Sequence, residues 1–475
     1  MTAIFPRNKT KIVCTIGPAS RHPKILERMI RAGMNVARLN MAHGDTAYHE
    51  ETIRQVRAAA AATGRRIAIL ADLPGPKMRL GKLPGPGREL RSDEPVTLTA
   101  DPANADQNAI TMDFQGLAEV VKPGTTIFLN DGFLQLQVKS VIGPHIHCRV
   151  QVGGVIRSHN GINVPGIIIP GSQFTANDQR LLEFVLQQNV DAVSISFVQN
   201  AQDVIQVREL SANLGKQPFL VAKIERANAV KCIDEILEAA DAIMVARGDL
   251  GVETPIETIA MTQKLLIERA NLLGKPVITA TQMLESMVHN RRPTRAEATD
   301  VANAILDGTD CIMLSEESAI GNYPVDAVKT MAKIAHVTEA HHIEPRVRKD
   351  LLGKRRTDKR RVEDVVAIEV FTAVERLQPR LVIAPTDSGA TPRRLSRFKL
   401  PYWIVAFSIS EATCQQLCFT YGVVPIKMPA SEQPWRQVTR AWCAEHGITT
   451  GRIVMTHGPS RTKPKDSNFV EVFSL

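Results

Sequence analysis

The sequence predicts an α/β protein: a (β/α)8 TIM barrel with an all-β domain inserted in one barrel loop and an open α/β domain at the carboxyl end. Three observations predict this fold class. Short aliphatic runs alternate with helical patterns eight times. A stretch rich in Gly and Pro, without a convincing helix, interrupts this alternation. Helix and strand patterns then resume after a basic run. A chain of 475 residues has room for roughly two to four domains.

Eight runs are the candidate barrel strands, and helical patterns such as KILERMIRAG, DQRLLEFVLQQN, DVIQVRELSANLG and AVKCIDEILEAA lie between them. The runs are KIVCT from Lys11, NVARLN from Asn35, IAILAD from Ile67, DAVSISF from Asp191, FLVAKIE from Phe219, AIMVARGD from Ala242, PVITATQ from Pro276 and CIMLSEE from Cys311. Eight such units in succession are typical of a (β/α)8 barrel.

The interruption falls between the third and fourth barrel strands and begins at Pro74-Gly75-Pro76, which we interpret as a hinge. Alternating runs such as TIFLN and LQLQVKSV predict that the inserted segment is built of strands. We expect a barrel over 1–73 and 172–344, an inserted β domain over 74–171, a basic linker over 345–361 and a carboxyl-terminal α/β domain over 362–475.

Composition and charge describe an ordinary globular protein, with a formal net charge of +9. The run Arg346–Arg361 holds nine basic and two acidic residues, and no aromatic residue interleaves it. We expect a solvated linker or helix face there, not a nucleic-acid-binding arm. Seven cysteines without a CxxC pair favour a reducing compartment. No run of about eighteen apolar residues predicts a membrane span, and we expect no signal peptide.

Polar residues end six of the eight candidate barrel strands, which is the clearest sign of a reaction site. Reacting groups of such barrels lie at the carboxyl ends of the strands. The residues are Arg38, Asn40, Asp72, Lys223, Glu225, Asp249, Thr281 and Glu317. Six strands that end this way indicate a site more than an ordinary polar rim.

These residue types suit phosphate chemistry. Glu225 and Asp249 offer carboxylate oxygens for Mg²⁺, with water and substrate completing the coordination shell. Arg38 and Arg79 offer planar forks for phosphate, and Lys223 places a point charge where an oxyanion could form. The stretch ARGDLG follows a strand and can present backbone N–H groups to a carboxylate. The expected substrate is small, anionic and phosphorylated.

A second candidate phosphate site follows the strand RLVIAP of the carboxyl-terminal domain. The stretch TDSGATPRR, from Thr386 to Arg394, combines hydroxyls, a Gly and two Arg residues at a strand-to-helix turn. In isolation, such a turn is more often an ordinary helix N-cap.

Together these motifs resemble the pyruvate kinase family over nearly the whole chain. The resemblance is carried by TKIVCTIGPAS, GMNVARLNMAHG, AKIERANAV, MVARGDLGVE, ITATQMLESM and RPTRAEATDVANAILDGTDCIMLSEESAIGNYP. It implies transfer of the phosphoryl group of phosphoenolpyruvate to ADP, giving ATP and an enolate that is protonated to pyruvate, the last step of glycolysis. It also implies a cytoplasmic homotetramer, with the inserted domain as a lid and a phosphorylated metabolite as activator.

The resemblance implies roles for individual residues. Arg38 and Lys223 would hold the phosphoryl group, Lys223 would also stabilise the enolate, and Thr281 would help to relay the proton. Glu225 and Asp249 would bind Mg²⁺, or Mn²⁺ in its place. The substrate carboxylate would meet Ala246, Arg247, Gly248 and Asp249. The nucleotide would meet Asn40, His43, Arg79 and Asn160, although members of the family often carry Lys at the last position. The effector would meet Thr386, Ser388, Gly389 and Thr391.

The resemblance also bears on potassium, because the family's potassium site is altered here. Ala42 stands where the family usually has Ser, and Leu73 stands where it usually has Thr. With Lys77, the sequence resembles the bacterial subgroup of the family that carries Lys at this position and does not depend on potassium. The Lys77 ammonium is expected to replace the monovalent cation near Asn40 and Asp72, so K⁺ is not expected to be required.

Two other readings stay open on the residues alone. A barrel lyase or aldolase that acts on a pyruvate-like enolate would need the same carboxylates, but neither a lid nor ADP. A nucleic-acid-binding protein would rest on the basic pI and the run Arg346–Arg361.

Overall fold

A computed structural model describes residues 5–101, 109–114, 116–130, 132–167, 174–341, 362–430, 433–458 and 468–475. The predicted linker at 345–361 lies outside these described residues. None of the helices within the described ranges combines the length and apolarity needed to cross a membrane. All seven cysteines lie within those ranges and are free thiols.

Strands are numbered in chain order. They are β1 Lys11–Thr15, β2 Val36–Asn40, β3 Ala68–Asp72, β4 Arg88–Leu90, β5 Pro95–Thr99, β6 Ile110–Thr111, β7 Thr126–Leu129, β8 Leu134–Ile142, β9 His145–Val152, β10 Gly154–Ile156, β11 Ile162–Asn163, β12 Ala192–Ile195, β13 Phe219–Ile224, β14 Ala242–Ala246, β15 Val277–Ala280, β16 Cys311–Leu314, β17 Leu381–Ile383, β18 Ile404–Ser408, β19 Val423–Lys427, β20 Arg452–His457 and β21 Phe469–Ser474.

Helices are numbered in the same way. They are α1 Pro23–Ala32, α2 Thr46–Thr63, α3 Leu117–Val120, α4 Ala176–Gln187, α5 Ala201–Asn213, α6 Ala227–Lys231, α7 Ile233–Ala239, α8 Arg247–Glu253, α9 Ile259–Leu272, α10 Arg295–Leu306, α11 Glu316–Ala319, α12 Pro324–Glu339, α13 Val362–Leu377, α14 Ala390–Ser396, α15 Glu411–Gln416 and α16 Trp435–Glu445. Short 3₁₀ turns cover Ile256–Thr258, Glu285–Val288 and Leu417–Phe419.

The predicted barrel is confirmed. Eight parallel strands close in the order β1-β16-β15-β14-β13-β12-β3-β2, and each lies within one of the eight predicted runs. Their side chains are almost entirely buried, as expected for parallel strands covered by helices. Register places Asp72 beside both Asn40 and Ser194, while Arg38 lies beside Thr15. These pairings bring charged groups from neighbouring strands to one end of the barrel.

The predicted barrel helices also form, with local signals at their ends. Helix α4 begins with a capping box in which Thr175 and Asp178 exchange hydrogen bonds, and Thr294 and Glu297 do the same for α10. One prediction needs correction: AVKCIDEILEAA is two helices rather than one. They meet at Cys232, whose ψ of 16° departs from helical geometry.

The inserted segment forms two sheets, with strand orders β10-β4 and β11-β7-β8-β9-β5-β6. It also contains the four-residue helix α3, which the sequence did not predict. Alternating residues such as Leu134, Leu136 and Val138 point into a hydrophobic core separate from that of the barrel. This alternation is the pattern that predicted strands here.

The carboxyl-terminal domain is the predicted open sheet covered by helices, with strand order β19-β18-β17-β20-β21. Strand β21 pairs antiparallel with β20 and was not among the predicted strands. This domain closes the amino-terminal end of the barrel, where Phe419 stacks on Phe219 with ring centroids 5.4 Å apart. The opposite, carboxyl end of the barrel faces the inserted segment.

Candidate active site

A buried ion pair between Arg38 and Asp72 lies at the carboxyl ends of β2 and β3. The guanidinium donates to the Asp72 carboxylate through Nε at 2.9 Å and through Nη2, and to the Thr15 hydroxyl at 2.8 Å. Ser194 donates to the other Asp72 oxygen at 2.6 Å. The guanidinium is therefore fixed by groups from two neighbouring strands, with 11% of its side chain exposed.

Lys223 adds a second cation to this cluster. Its ammonium lies 3.3 Å from Asp72 Oδ1 and 2.9 Å from Glu225 Oε1, and it donates to Ser196 Oγ at 2.7 Å. Burial lowers the pKa of Lys223, but the two carboxylates outweigh burial and leave that pKa above its ordinary value. Lys223 is therefore held as an ammonium at neutral pH.

The same charges act in the opposite sense on Asp72. Burial raises the pKa of this carboxyl, but Lys223 and Arg38 outweigh that effect and hold the pKa below its ordinary value. Asp72 is thus a carboxylate whose oxygens are already engaged by two cations and a hydroxyl. We infer that it orients Arg38 and Lys223 and is itself closed to a substrate proton.

Glu225 and Asp249 are the candidate metal ligands. Burial raises the pKa of Glu225, Lys223 opposes that shift, and the charge of nearby Asp249 adds to it. Two close carboxylates disfavour each other's charge, which a divalent cation would relieve. Among the described residues, no group of three or more His, Cys, Asp or Glu side chains could hold a metal. A pair of carboxylates fits Mg²⁺, which keeps several ligand positions for water and substrate.

Lys77, which directly follows the Pro74-Gly75-Pro76 hinge, contacts one of these two candidate metal ligands. Its ammonium lies 3.2 Å from Asp249 Oδ1, and both side chains are about three-quarters buried, with 27% and 22% exposed. The sequence linked Lys77 to Asn40 and Asp72, and that proximity stays a prediction. The observed partner means that a positive charge from the hinge already stands beside one candidate metal ligand.

The turn after β14 and β15 forms the next side of the site. Helix α8 begins at Arg247, and the N–H of Gly248 donates to the Thr281 hydroxyl at 2.8 Å. That hydroxyl donates to the carbonyl of Ala280 at 2.7 Å. Thr281 has φ of +65°, an uncommon conformation for a β-branched residue. The Arg247 side chain, 11% exposed, donates to the carbonyl of Thr281 at 2.8 Å and pairs with Asp300 at 2.6 Å, so it braces this turn.

Comparison with known proteins agrees with this geometry. The family profile described as "Pyruvate kinase, barrel domain" matches residues 7–328, and that described as "Pyruvate kinase, alpha/beta domain" matches residues 364–473. The chain belongs to the pyruvate kinase family. It is therefore a phosphotransferase of the pyruvate kinase class, as the sequence predicted.

Individual relatives match over most of their length. The chain is 47% identical to a pyruvate kinase of Thermococcus litoralis, covering 89% of this chain and 90% of that protein. It is 40% identical to pyruvate kinase 2 of Synechocystis, over 99% of this chain and 80% of the relative. A pyruvate kinase of Corynebacterium glutamicum is 38% identical over 98% of both chains.

The residues predicted to contact the nucleotide lie in a barrel loop and on the inserted segment. Asn40 accepts a hydrogen bond from the N–H of Ala42 at 3.2 Å, and His43 is exposed in the same loop. On the inserted segment, Arg79 donates to the carbonyl of His159 at 3.1 Å. The Asn160 side chain bonds within that segment, to Asn130 at 3.1 Å and to the N–H of Arg157 at 2.6 Å. Binding of the nucleotide by these residues stays a prediction.

The predicted effector turn adopts the geometry of a helix start. Gly389 has φ of +78° and donates to the Thr386 hydroxyl at 2.9 Å, directly before α14. Arg393 donates to the carbonyl of Ser388 at 2.8 Å. Thr391 lines a separate cavity of about 20 Å³, whose other walls include Arg394 and His457. A cavity of that size holds about one water. Binding of an effector at the turn itself stays a prediction.

Sequence reasoning missed several groups that build the site. Ser194 and Ser196 orient Asp72 and Lys223, and Thr15 supports Arg38. Two serines at alternate positions of the predicted run DAVSISF were the available signal, since alternate residues of an extended segment face the same side. Glu317, expected among the polar strand ends, instead accepts backbone N–H groups of Leu284 and Ser315 and supports loops.

Proposed function

We propose that this chain transfers the phosphoryl group of phosphoenolpyruvate to ADP and releases pyruvate and ATP, as the last step of glycolysis. Membership of the pyruvate kinase family supports the reaction. The observation that carries the proposal is the cluster of Arg38, Asp72, Lys223 and Glu225 at one barrel end. Two fixed cations there pair with the carboxylates of Asp72 and Glu225, and Glu225 is a candidate metal ligand.

The first chemical requirement is to hold a phosphoryl group that carries negative charge. Arg38 offers a planar guanidinium whose position is set by Asp72 and Thr15. Lys223 adds a compact positive charge beside it. An ADP phosphate oxygen attacks phosphorus, the bond from phosphorus to the enol oxygen breaks, and the electrons of that bond remain on the enol oxygen as an enolate.

The second requirement is to stabilise that enolate. Lys223 stays protonated because its pKa is raised, so its ammonium can face the developing oxyanion without losing a proton. Thr281 is proposed to help move a proton to the methylene carbon, which completes pyruvate. Its hydroxyl is oriented for this by Gly248 and Ala280.

We propose that Glu225 and Asp249 hold Mg²⁺, with Mn²⁺ as an alternative. The cation supplies Lewis-acid stabilisation of negative charge on substrate oxygens. Substrate orientation comes from the start of α8, where the backbone from Ala246 to Asp249 would receive the substrate carboxylate. The N–H groups at such a helix start point toward an anion.

The inserted β domain, residues 74–171, is proposed to act as a lid. Arg79 and Asn160 would carry nucleotide contacts to the site, together with Asn40 and His43 on the barrel. A closed lid excludes water, which would otherwise accept the phosphoryl group. The Asn160 side chain is engaged within the domain, so we propose that its part in nucleotide binding is small.

We propose that Lys77 replaces a monovalent cation, so K⁺ is not required. The position of its ammonium beside Asp249 supports this proposal, because a positive charge already lies next to one of the two candidate metal ligands. Asp72 also has its oxygens engaged by Arg38, Lys223 and Ser194. Ala42 and Leu73 lack the hydroxyl groups that Ser and Thr would supply at these positions, so fewer oxygen ligands remain for a bound cation.

Control and assembly are proposed from the family. A phosphorylated metabolite would bind Thr386, Ser388, Gly389 and Thr391 and activate the enzyme. We propose a homotetramer in the cytoplasm, with partners limited to small molecules and no nucleic acid or membrane. The free state of all seven cysteines is compatible with that compartment.

An assay of pyruvate from phosphoenolpyruvate, with and without ADP, tests the proposal. We expect pyruvate in the presence of Mg²⁺ and ADP, and almost none when ADP is omitted. Pyruvate formation that ignores ADP would favour the barrel lyase or aldolase instead. A salt series on DNA binding addresses the nucleic-acid reading, since phosphate contacts weaken steeply with salt.

A further inference from the structure

A buried cluster beside the metal carboxylates connects the two points at which the chain enters and leaves the inserted domain. We propose that Phe197, Arg226 and Glu253, here called the hinge anchor, are positioning residues that fix both connections of the inserted domain and hold Glu225 in place. This inference rests on the lid and the metal site of the proposed function.

The first connection rests on Phe197. Gly75 in the Pro74-Gly75-Pro76 hinge has φ of +64°, and a Cβ added there would lie 2.9 Å from the Phe197 ring. The hinge backbone therefore packs directly on that ring. Gly75 is also held by a hydrogen bond from its N–H to Asp178 at 3.0 Å.

Phe197 also binds the carboxylate of Glu225, a candidate metal ligand. It follows β12 with φ of +57°, an uncommon conformation for an aromatic residue. In this conformation, its N–H donates to Glu225 Oε2 at 2.7 Å. The other Glu225 oxygen faces Lys223. Because of this bond, a change at Phe197 reaches the orientation of a candidate metal ligand.

Arg226 also contacts the Phe197 ring. Its guanidinium carbon lies 5.3 Å from the centre of the Phe197 ring, within the range of a cation–π contact. Its side chain is 7% exposed, and Nη1 lies 3.7 Å from Glu253 Oε1. A buried arginine without a carboxylate is costly, so Glu253 is needed to keep it there.

The second connection rests on Glu253, the last residue of α8. Burial raises the pKa of this carboxyl, and Arg226 and the backbone N–H groups of Ala227 and Gly166 oppose that rise, which places both N–H groups close to Glu253. Gly166 belongs to the segment that returns from the inserted domain, and Ala227 follows Arg226. The anchor thus runs from Gly75 through its three side chains to Gly166.

The hinge anchor therefore holds both connections of the inserted domain against the same part of the barrel. A lid that swings about two anchored connections can close in one orientation, whereas a loosened anchor leaves its position undefined. The same loosening would free the N–H that holds Glu225. We therefore expect loss of the anchor to weaken Mg²⁺ binding and to let water reach the phosphoryl group.

Leakage to water has a defined product balance. Water attacks phosphorus in place of ADP, the bond to the enol oxygen breaks, and inorganic phosphate and pyruvate form without ATP. The ratio of pyruvate to ATP is one for complete transfer and rises with every hydrolysed molecule. A merely structural role would lower stability without changing this ratio.

The experiment compares Arg226→Gln, Glu253→Gln and Arg226→Lys with the unmodified enzyme. We expect the first two to weaken Mg²⁺ binding, measured by calorimetry, by about tenfold, as for other residues that orient metal ligands. We also expect their pyruvate-to-ATP ratio to exceed one and amide hydrogen exchange to quicken around Gly75 and Gly166. Arg226→Lys keeps a charge for Glu253 and should recover part of the Mg²⁺ affinity.

Arg57→Gln is the matched control. It breaks another partly buried ion pair of the barrel, with Asp191 at 2.8 Å, which is not part of the anchor. If Arg226→Gln and Glu253→Gln change Mg²⁺ affinity, ratio and exchange no more than this control, the inference is wrong. Should Arg226→Gln fail to fold, Arg226→Lys and Glu253→Gln decide the matter. An unmodified enzyme that forms no ATP would refute the proposed function, while calorimetry and exchange would still judge the anchor.

Discussion

Replacing Lys223 with methionine removes one charge from the centre of the site while keeping the length of the side chain. In the structure this ammonium faces Asp72 and Glu225 at 3.3 and 2.9 Å. By analogy with other oxyanion donors, we expect turnover to fall by about 10²- to 10³-fold, or about 2.7–4 kcal/mol of barrier. Breaking the buried ion pairs should also destabilise the fold, by about 3–5 kcal/mol.

The pH dependence of Lys223→Met gives a second measure of the same charge. Burial raises the pKa of Glu225 and Lys223 opposes that rise, so the variant should show a still higher pKa at Glu225. Protons compete with Mg²⁺ for that carboxylate, so the Mg²⁺ requirement of the variant should increase more steeply as the pH falls. The assays are turnover at saturating substrates and Mg²⁺ titrations at several pH values. Near-normal turnover in a folded variant would mean that Lys223 is only a structural ion-pair partner and does not stabilise the enolate.

Three further predictions concern the metal, the monovalent cation and the effector. Asp249→Asn removes one of two anionic ligands, so it should keep the fold and weaken Mg²⁺ activation; an unchanged Mg²⁺ titration would remove Asp249 from the metal site. The unmodified enzyme should be fully active with Mg²⁺ in tetramethylammonium buffer, whereas Lys77→Glu should lose most activity and regain only part of it with K⁺ unless Ala42→Ser is added. Strong activation of the unmodified enzyme by K⁺ would contradict this. Ser388→Glu places a carboxylate where a phosphate should bind, so it should abolish activation by sugar phosphates or nucleotides without changing activity at saturating phosphoenolpyruvate; an activator that still works on this variant would argue against the site.

The barrel and its charged strand ends could be predicted because they follow from local pattern. Aliphatic runs with polar ends are visible in the sequence, and parallel pairing brings such ends together, as it does for Arg38 and Asp72. Strand β21 was not predicted because its run FVEVFS, Phe469–Ser474, is not followed by a helix pattern. Its pairing with β20 is a long-range contact that local pattern does not encode.

The supporting contacts were harder to foresee because they depend on three-dimensional position. Ser196 directly follows β12, and only the fold places its hydroxyl 2.7 Å from Lys223. The partner of Lys77 is Asp249, 172 residues further along the chain. Nor does the motif KIERANAV indicate that Arg226 packs between Phe197 and Glu253. Such partners are set by how strands and loops meet, which a single sequence leaves undetermined.

We propose that the cluster of Arg38, Asp72, Lys223 and Glu225 transfers a phosphoryl group from phosphoenolpyruvate to ADP. The most direct measurement follows phosphorus by NMR in a mixture of the purified enzyme, Mg²⁺ and equal amounts of both substrates, without K⁺. We predict that the phosphoenolpyruvate signal disappears as the γ-phosphate signal of ATP grows in equal amount, and that Lys223→Met slows both changes together. Loss of phosphoenolpyruvate into inorganic phosphate alone, or no change at all, would contradict the account.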